Sequence, residues 1–194
     1  MEPKRLGYVA VRRFIRDGDV LLWRGTSWLS KLIRWAGRSP YSHAGLAVWI
    51  RGRLMVAESR EGSGIRLLPL RSAVAGAEVD LYEVGHGTDL AVDTVRDQVV
   101  ERALELLGQA YGYRRILRLA VGRIPLVGRL VKSWSFDDEL RIDGRLGIVC
   151  SAYVALCWHM AGLDLVPNLS DGSTEPGDLA RSALLKLRGR LELE

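Results

Sequence analysis

The sequence predicts an α+β fold, a small antiparallel sheet or half-barrel packed against helices. Two observations carry this. Short β-rich runs separated by tight turns fill the first half, and longer segments with helical spacing fill the second. The order, strands with one early helix, then more strands, then helices, suits a mostly antiparallel sheet covered by helices. The chain has 194 residues, 48% hydrophobic and 26% charged. That is enough to bury a core, and with no linker-like stretch and no internal repeat, residues 1–194 read as a single domain.

Taken in order, 18-GDVLLWRG-25 reads as a strand after a Gly-Asp turn. In 27-SWLSKLIRWAG-37, Trp28, Leu29, Leu32, Ile33 and Trp35 have helical spacing between a serine start and a glycine stop. Next come 43-HAGLAVWI-50 and 54-LMVAES-59, joined by 51-RGR-53, a tight-turn signal that predicts a hairpin. Residues 65–70 and 78–84 are further strands. Residues 90–107 form an amphipathic helix ending at Gly108. A basic, apolar stretch over 109–134 follows, then the acidic cluster Asp137, Asp138 and Glu139. A helix opens at Cys150 and closes near Gly162. Residues 167–180 read as loop, and 178-DLARSALLKL-187 as a short helix.

The N-terminal MEPKRLGYVAVRRF lacks the apolar core of a signal peptide. No run of about 20 apolar residues predicts a transmembrane helix, so the default expectation is cytoplasmic. Cys150 and Cys157 lie two turns apart on one predicted helix, roughly 10 Å, too far to pair. No Cys/His cluster has zinc spacing, and neither a metal nor a cofactor is expected. The net charge of +5 points weakly to acidic partners. Aromatics are not interleaved with the arginines as a stacking platform, and no nucleic-acid partner is expected.

Cys150 has two readings. It is a small hydrophobe in a core helix, or a nucleophile whose thiol pKa a helix N-terminus lowers. A nucleophile needs a base, and three histidines are available. His159 lies nine residues on, on the opposite helix face. His86 sits in the polar loop 85-GHGTD-89. His43 opens a strand. If Arg51-Gly52 is a two-residue hairpin loop, residue 45 faces 58, and His43 and Glu58 are diagonal neighbours on one sheet face. A slip of one residue would put Ser59 there instead.

The segments 18-GDVLLWRG-25, 41-YSHAGLAVW-49, 56-VAES-59 and 64-GIRLLPL-70, then 107-LGQAYGY-113 and 149-VCSAYVALCW-158, together resemble the circularly permuted NlpC/P60 papain-like cysteine hydrolases of the YiiX/YebB-like type. The likeness runs from about 18 to 163 and places the His motif before the Cys motif. It implies a papain-like fold, with Cys150 as nucleophile, His43 as general base and Glu58 as the orienting residue. The implied reaction is acyl transfer through a thioester, a peptidase or amidase activity on cell-wall peptide. Tyr41, Tyr111 and Tyr113 become candidate substrate-binding residues. The family often has an acid two positions after the cysteine, and here that residue is Ala152.

The relatives also include lipid-directed acyltransferases, of which the lecithin–retinol acyltransferase group is one. Residues 113–132 carry Arg114, Arg115, Arg118, Arg123, Arg129 and Lys132 with no acid, interleaved with aliphatics. Such a stretch either packs on the domain with its arginines in water or lies on an anionic membrane surface. The segment 28-WLSKLIRW-35 has the same character. The expected partner is therefore a peptide or acylated small-molecule substrate. A lipid-directed acyltransferase or esterase, or a non-catalytic membrane-surface module, is the alternative.

Overall fold

The computed structural model describes residues 2–85, 92–111 and 149–193, and every structural statement below concerns these. The expectations for His86, Tyr113 and the basic stretch 113–132 lie outside them.

The strands are β1 (Arg5–Gly7), β2 (Val20–Trp23), β3 (His43–Ile50), β4 (Arg53–Arg60), β5 (Gly64–Pro69), β6 (Val79–Val84) and β7 (Leu185–Glu192). They form one open sheet in the order β1-β7-β6-β2-β3-β4-β5. All neighbours are antiparallel except β1 and β7. The helices are α1 (Tyr8–Val11), α2 (Trp28–Gly37), α3 (Leu70–Val74), α4 (Val92–Glu105), α5 (Cys150–Met160) and α6 (Pro176–Arg181). None of them is long and apolar enough to cross a membrane.

Strand alternation sends side chains into two cores. Val20 and Leu22 of β2 join Ala44, Leu46 and Val48 of β3 under α4 and α5. Leu21 and Trp23 point the other way, onto Tyr8, Leu70 and Val74 of the short helices α1 and α3. Helix α5 is buried on every side from Cys150 to Trp158, which explains its unbroken apolar composition. Three hydrogen bonds fix it: Ser151 Oγ to the Thr174 carbonyl (2.7 Å), Tyr153 OH to the Ala103 carbonyl (2.8 Å) and Trp158 Nε1 to the Gly18 carbonyl (3.0 Å).

The hairpin forms in the expected register, Ile50 opposite Arg53 and Gly45 opposite Glu58. Its loop residues have φ of 49° at Arg51 and 77° at Gly52, the left-handed pair a two-residue hairpin turn requires. Helix α2 starts where Ser27 caps it, Oγ accepting from the Ser30 N–H at 3.1 Å.

The C-terminal region departs from expectation. The helix predicted over 178–187 is shorter and begins earlier. A capping box between Glu175 and Asp178, with Pro176 in the first turn, starts it inside the segment read as loop, and it ends at Arg181. Leu185 to Glu192 then form β7, which fills the sheet between β6 and β1, a bulge opposite Leu81 and Tyr82 sending Leu185 to one core and Leu191 to the other. Four leucines within 184–191 mimic a helical stripe, and only the partner strands select the extended form.

Candidate functional site

Three parts of the chain meet where β3 begins. His43 is the first residue of that strand, opposite Trp23 of β2, whose indole meets the imidazole edge-on with centroids 5.1 Å apart. Glu58 stands on β4, diagonal to His43, and its Oε2 lies 2.6 Å from His43 Nε2. Cys150 opens α5 with its thiol in hydrogen-bond contact with the same imidazole. Nε2 is engaged by Glu58, so Nδ1 is the nitrogen turned to the sulfur.

Charge is strongly coupled across the three. Burial disfavours the charged imidazole, but the Cys150 thiolate and the Glu58 carboxylate outweigh it and raise the His43 pKa to about 9. Burial also opposes ionisation of Glu58, yet the His43 contact and the Arg66 and Arg60 guanidiniums bring it down to about 2. For Cys150, burial pushes the thiol up, and the His43 charge and hydrogen bond overcome it and lower the pKa. The backbone N–H groups of Ala44 and Ser151 add to that stabilisation. Helix α5 has neither a side-chain cap nor an acid in its first turn. The sulfur therefore occupies the place an acidic cap would take, at the positive end of the helix dipole, which favours its ionised form.

The other candidates separate cleanly. Cys157 is fully buried, and burial pushes its thiol well above the ordinary range. His159 is remote from Cys150 on the exposed end of α5 and pairs with Asp171 at 2.8 Å. Tyr111 lines the cleft beside Cys150. Tyr41 does not. Its side chain is buried, with the OH donating to Asp80 Oδ2 at 2.7 Å and 3.0 Å from the Tyr82 OH. The family likeness implies a cleft residue at 41, but the Asp80 carboxylate, fully buried and flanked by Arg24 and Arg190, draws the phenol inward.

Arg66 is the member sequence reasoning misses. It sits on β5 directly opposite Glu58 and donates from Nε (2.9 Å) and Nη2 (2.7 Å) to Glu58 Oε1. One carboxylate oxygen is thus held by Arg66 while the other holds His43. The position of Arg66 follows from the β4–β5 register, which the Arg51-Gly52 turn does not dictate.

A cleft opens beside the thiol. Leu32, Ile33 and Ala36 of α2 form one wall, and Tyr111, Val149 and Pro176 the rest. Ser151, Thr174 and Glu175 are the polar lining residues alongside Cys150, and the Glu175 side chain also caps α6. The arrangement offers a sulfur whose ionised form His43 favours, an imidazole touching it and an apolar chamber beside both.

No family model and no curated protein matches the chain. Among solved structures, the crystal structure of the metalloprotein YiiX from Escherichia coli O157:H7 is similar over 93% of this chain and 99% of that one. The TM-score is 0.63 and the identity 18%. The likeness is one of fold, and the open seven-stranded α+β arrangement is a YiiX-like fold.

Proposed function

We propose that this chain is a thiol-dependent hydrolase that opens an amide or peptide bond through a Cys150–His43–Glu58 triad. The observation that carries the reading is the buried imidazole of His43, which touches the Cys150 thiol on one side and the Glu58 carboxylate on the other, beneath an open cleft. The order of the motifs, histidine before cysteine, and the YiiX-like fold agree with a permuted NlpC/P60 relationship.

In this mechanism the Cys150 thiolate attacks the carbonyl carbon and forms a C–S bond. The backbone N–H groups at the start of α5 stabilise the oxyanion. The His43 imidazolium donates its proton to the amine as the C–N bond breaks, leaving a thioester. Water then gives a proton to His43 and attacks the thioester, releasing the acid and restoring the thiolate–imidazolium pair. Glu58 keeps Nδ1 aimed at the sulfur and stabilises the positive ring. The apolar cleft favours a second reading on the same chemistry, an acylated lipid or ester as substrate, with transfer to an acceptor in place of water.

Among the described residues, this site does not fit a metal such as the YiiX neighbour's name implies. Both ring nitrogens of His43 and both oxygens of Glu58 are engaged, and no three His, Cys, Asp or Glu side chains group around a common point among the described residues. The donor set present does not fit a metal ion, and no step here runs through one.

The test offers murein peptides and phospholipid vesicles separately and follows the released amine or fatty acid by mass spectrometry. Consumption of either class, abolished in Cys150→Ser, is the expected result, and the class consumed decides between the two readings. Undiminished turnover by Cys150→Ser would reject the thiol mechanism, and inertness toward both would favour a non-catalytic module.

A further inference from the structure

We propose that the outer face of α2 docks the molecule on an anionic phospholipid bilayer. Trp28 and Trp35 are 77% and 57% exposed, unusual for the largest apolar side chains of a folded chain. They are seven residues apart, about 20° from eclipsed around the helix axis, so both rings stand in one stripe. Lys31 is exposed roughly 40–60° to one side of that stripe, and Arg38 is exposed at the C-cap of the same helix. No acidic residue occurs between Asp19 and Glu58, so α2 itself carries charge of a single sign.

The helix is held from beneath. Ser27 caps it, Leu29, Ala36 and Gly37 are buried, and Leu32 and Ile33 wall the cleft. The tryptophan face is therefore rigid and takes no part in holding the helix in place. Tryptophan beside lysine and arginine is the composition of a bilayer interface, where the indoles enter the headgroup layer and the cations meet phosphate. Centres of protein–protein interfaces are depleted of lysine, whereas Lys31 lies between the two rings along the helix. Docking by this face would set one wall of the cleft against the membrane. It does not depend on catalysis.

The experiment is vesicle flotation of the full chain with phosphatidylcholine alone and with phosphatidylcholine–phosphatidylserine mixtures, read also by the tryptophan emission maximum. The expected result is binding to the anionic vesicles only, with a blue shift, weakening as salt is raised. Trp28→Ser/Trp35→Ser and, separately, Lys31→Glu/Arg38→Glu should each weaken it by roughly tenfold or more. Iodoacetamide labelling of Cys150 without vesicles should match wild type in both variants, which shows that they fold and keeps this test apart from that of the triad. Absence of binding, equal binding to neutral vesicles, or binding indifferent to both pairs would overturn the proposal. So would loss of thermal stability in the tryptophan variant with vesicle binding intact, since the rings would then be packing residues.

Discussion

At the scale of single residues, the contrast between the two cysteines is the most informative feature. Both are buried thiols on one helix, yet Cys150 is driven toward the thiolate and Cys157 away from it. The difference is a cation. His43 and two backbone N–H groups face Cys150, whereas Cys157 has only the Tyr153 hydroxyl to offset its burial. Iodoacetamide at pH about 6 should therefore modify Cys150 alone, and His43→Ala should slow it by roughly two orders of magnitude, the thiolate fraction lost when a thiol returns to its ordinary pKa. Arg66 acts one step further out, as a positioning residue. His43 is raised to about 9, so its protonated form is present below that pH and is lost as pH rises through it. Arg66→Met should loosen Glu58, lower the His43 pKa and move the alkaline limb of the activity profile to lower pH, with Arg66→Lys recovering part of the shift. An unmoved limb would make Arg66 a structural residue only.

At the scale of elements, the site depends on how α5 is delivered to the start of β3. Its N-terminus meets Ala44 and His43, and its far end is fixed by Trp158, whose Nε1 bonds the Gly18 carbonyl just before β2. Gly18 has φ of 78°, and a Cβ there would stand 2.5 Å from Trp158 Cζ2. Gly18→Ala should therefore destabilise the fold by about 2 kcal/mol or more, through backbone strain and displacement of a packed ring together. Differential scanning fluorimetry should record a lower Tm, and an unchanged Tm would mean that the turn is free to move. The segment 174–176, tied to α5 by the bond from Ser151 to the Thr174 carbonyl, and α2 complete the cleft from the other side.

Across the whole molecule, a second polar centre secures the sheet. Asp80 of β6 is fully buried and accepts from Arg24 beside β2, Arg190 of β7 and the Tyr41 hydroxyl. It joins three strands to the turn that leads into His43. Removing one partner of a buried ion pair costs roughly 3–5 kcal/mol. Arg24 and Arg190 reach solvent in part, so Asp80→Ala should cost less, about 2–3 kcal/mol after allowance for screening. Urea unfolding checks this, with a lower midpoint at unchanged m-value expected. A midpoint within error of wild type would show that the arginines simply turn to water.

Local signals in the sequence were enough for the hairpin and what it places. Arg51-Gly52 demands a two-residue turn, the turn sets the register, and the register brings Glu58 diagonal to His43. The same holds for α2, with its serine cap and apolar spacing, and for a helix opening at Cys150. These depend on neighbours a few residues apart, where backbone sterics and side-chain period decide. Only the tertiary structure could decide the remainder. Leu185–Glu192 becomes a strand because β6 and β1 present unpaired edges to it. Tyr41 turns inward because a buried carboxylate lies on a distant strand. Arg66 serves Glu58 through a second register the first turn does not dictate. The meeting of Cys150 with His43 requires α5 to cross the sheet. Contacts between segments far apart in sequence leave no periodic trace in either, and they arise only when burial of the shared apolar surface brings the segments together.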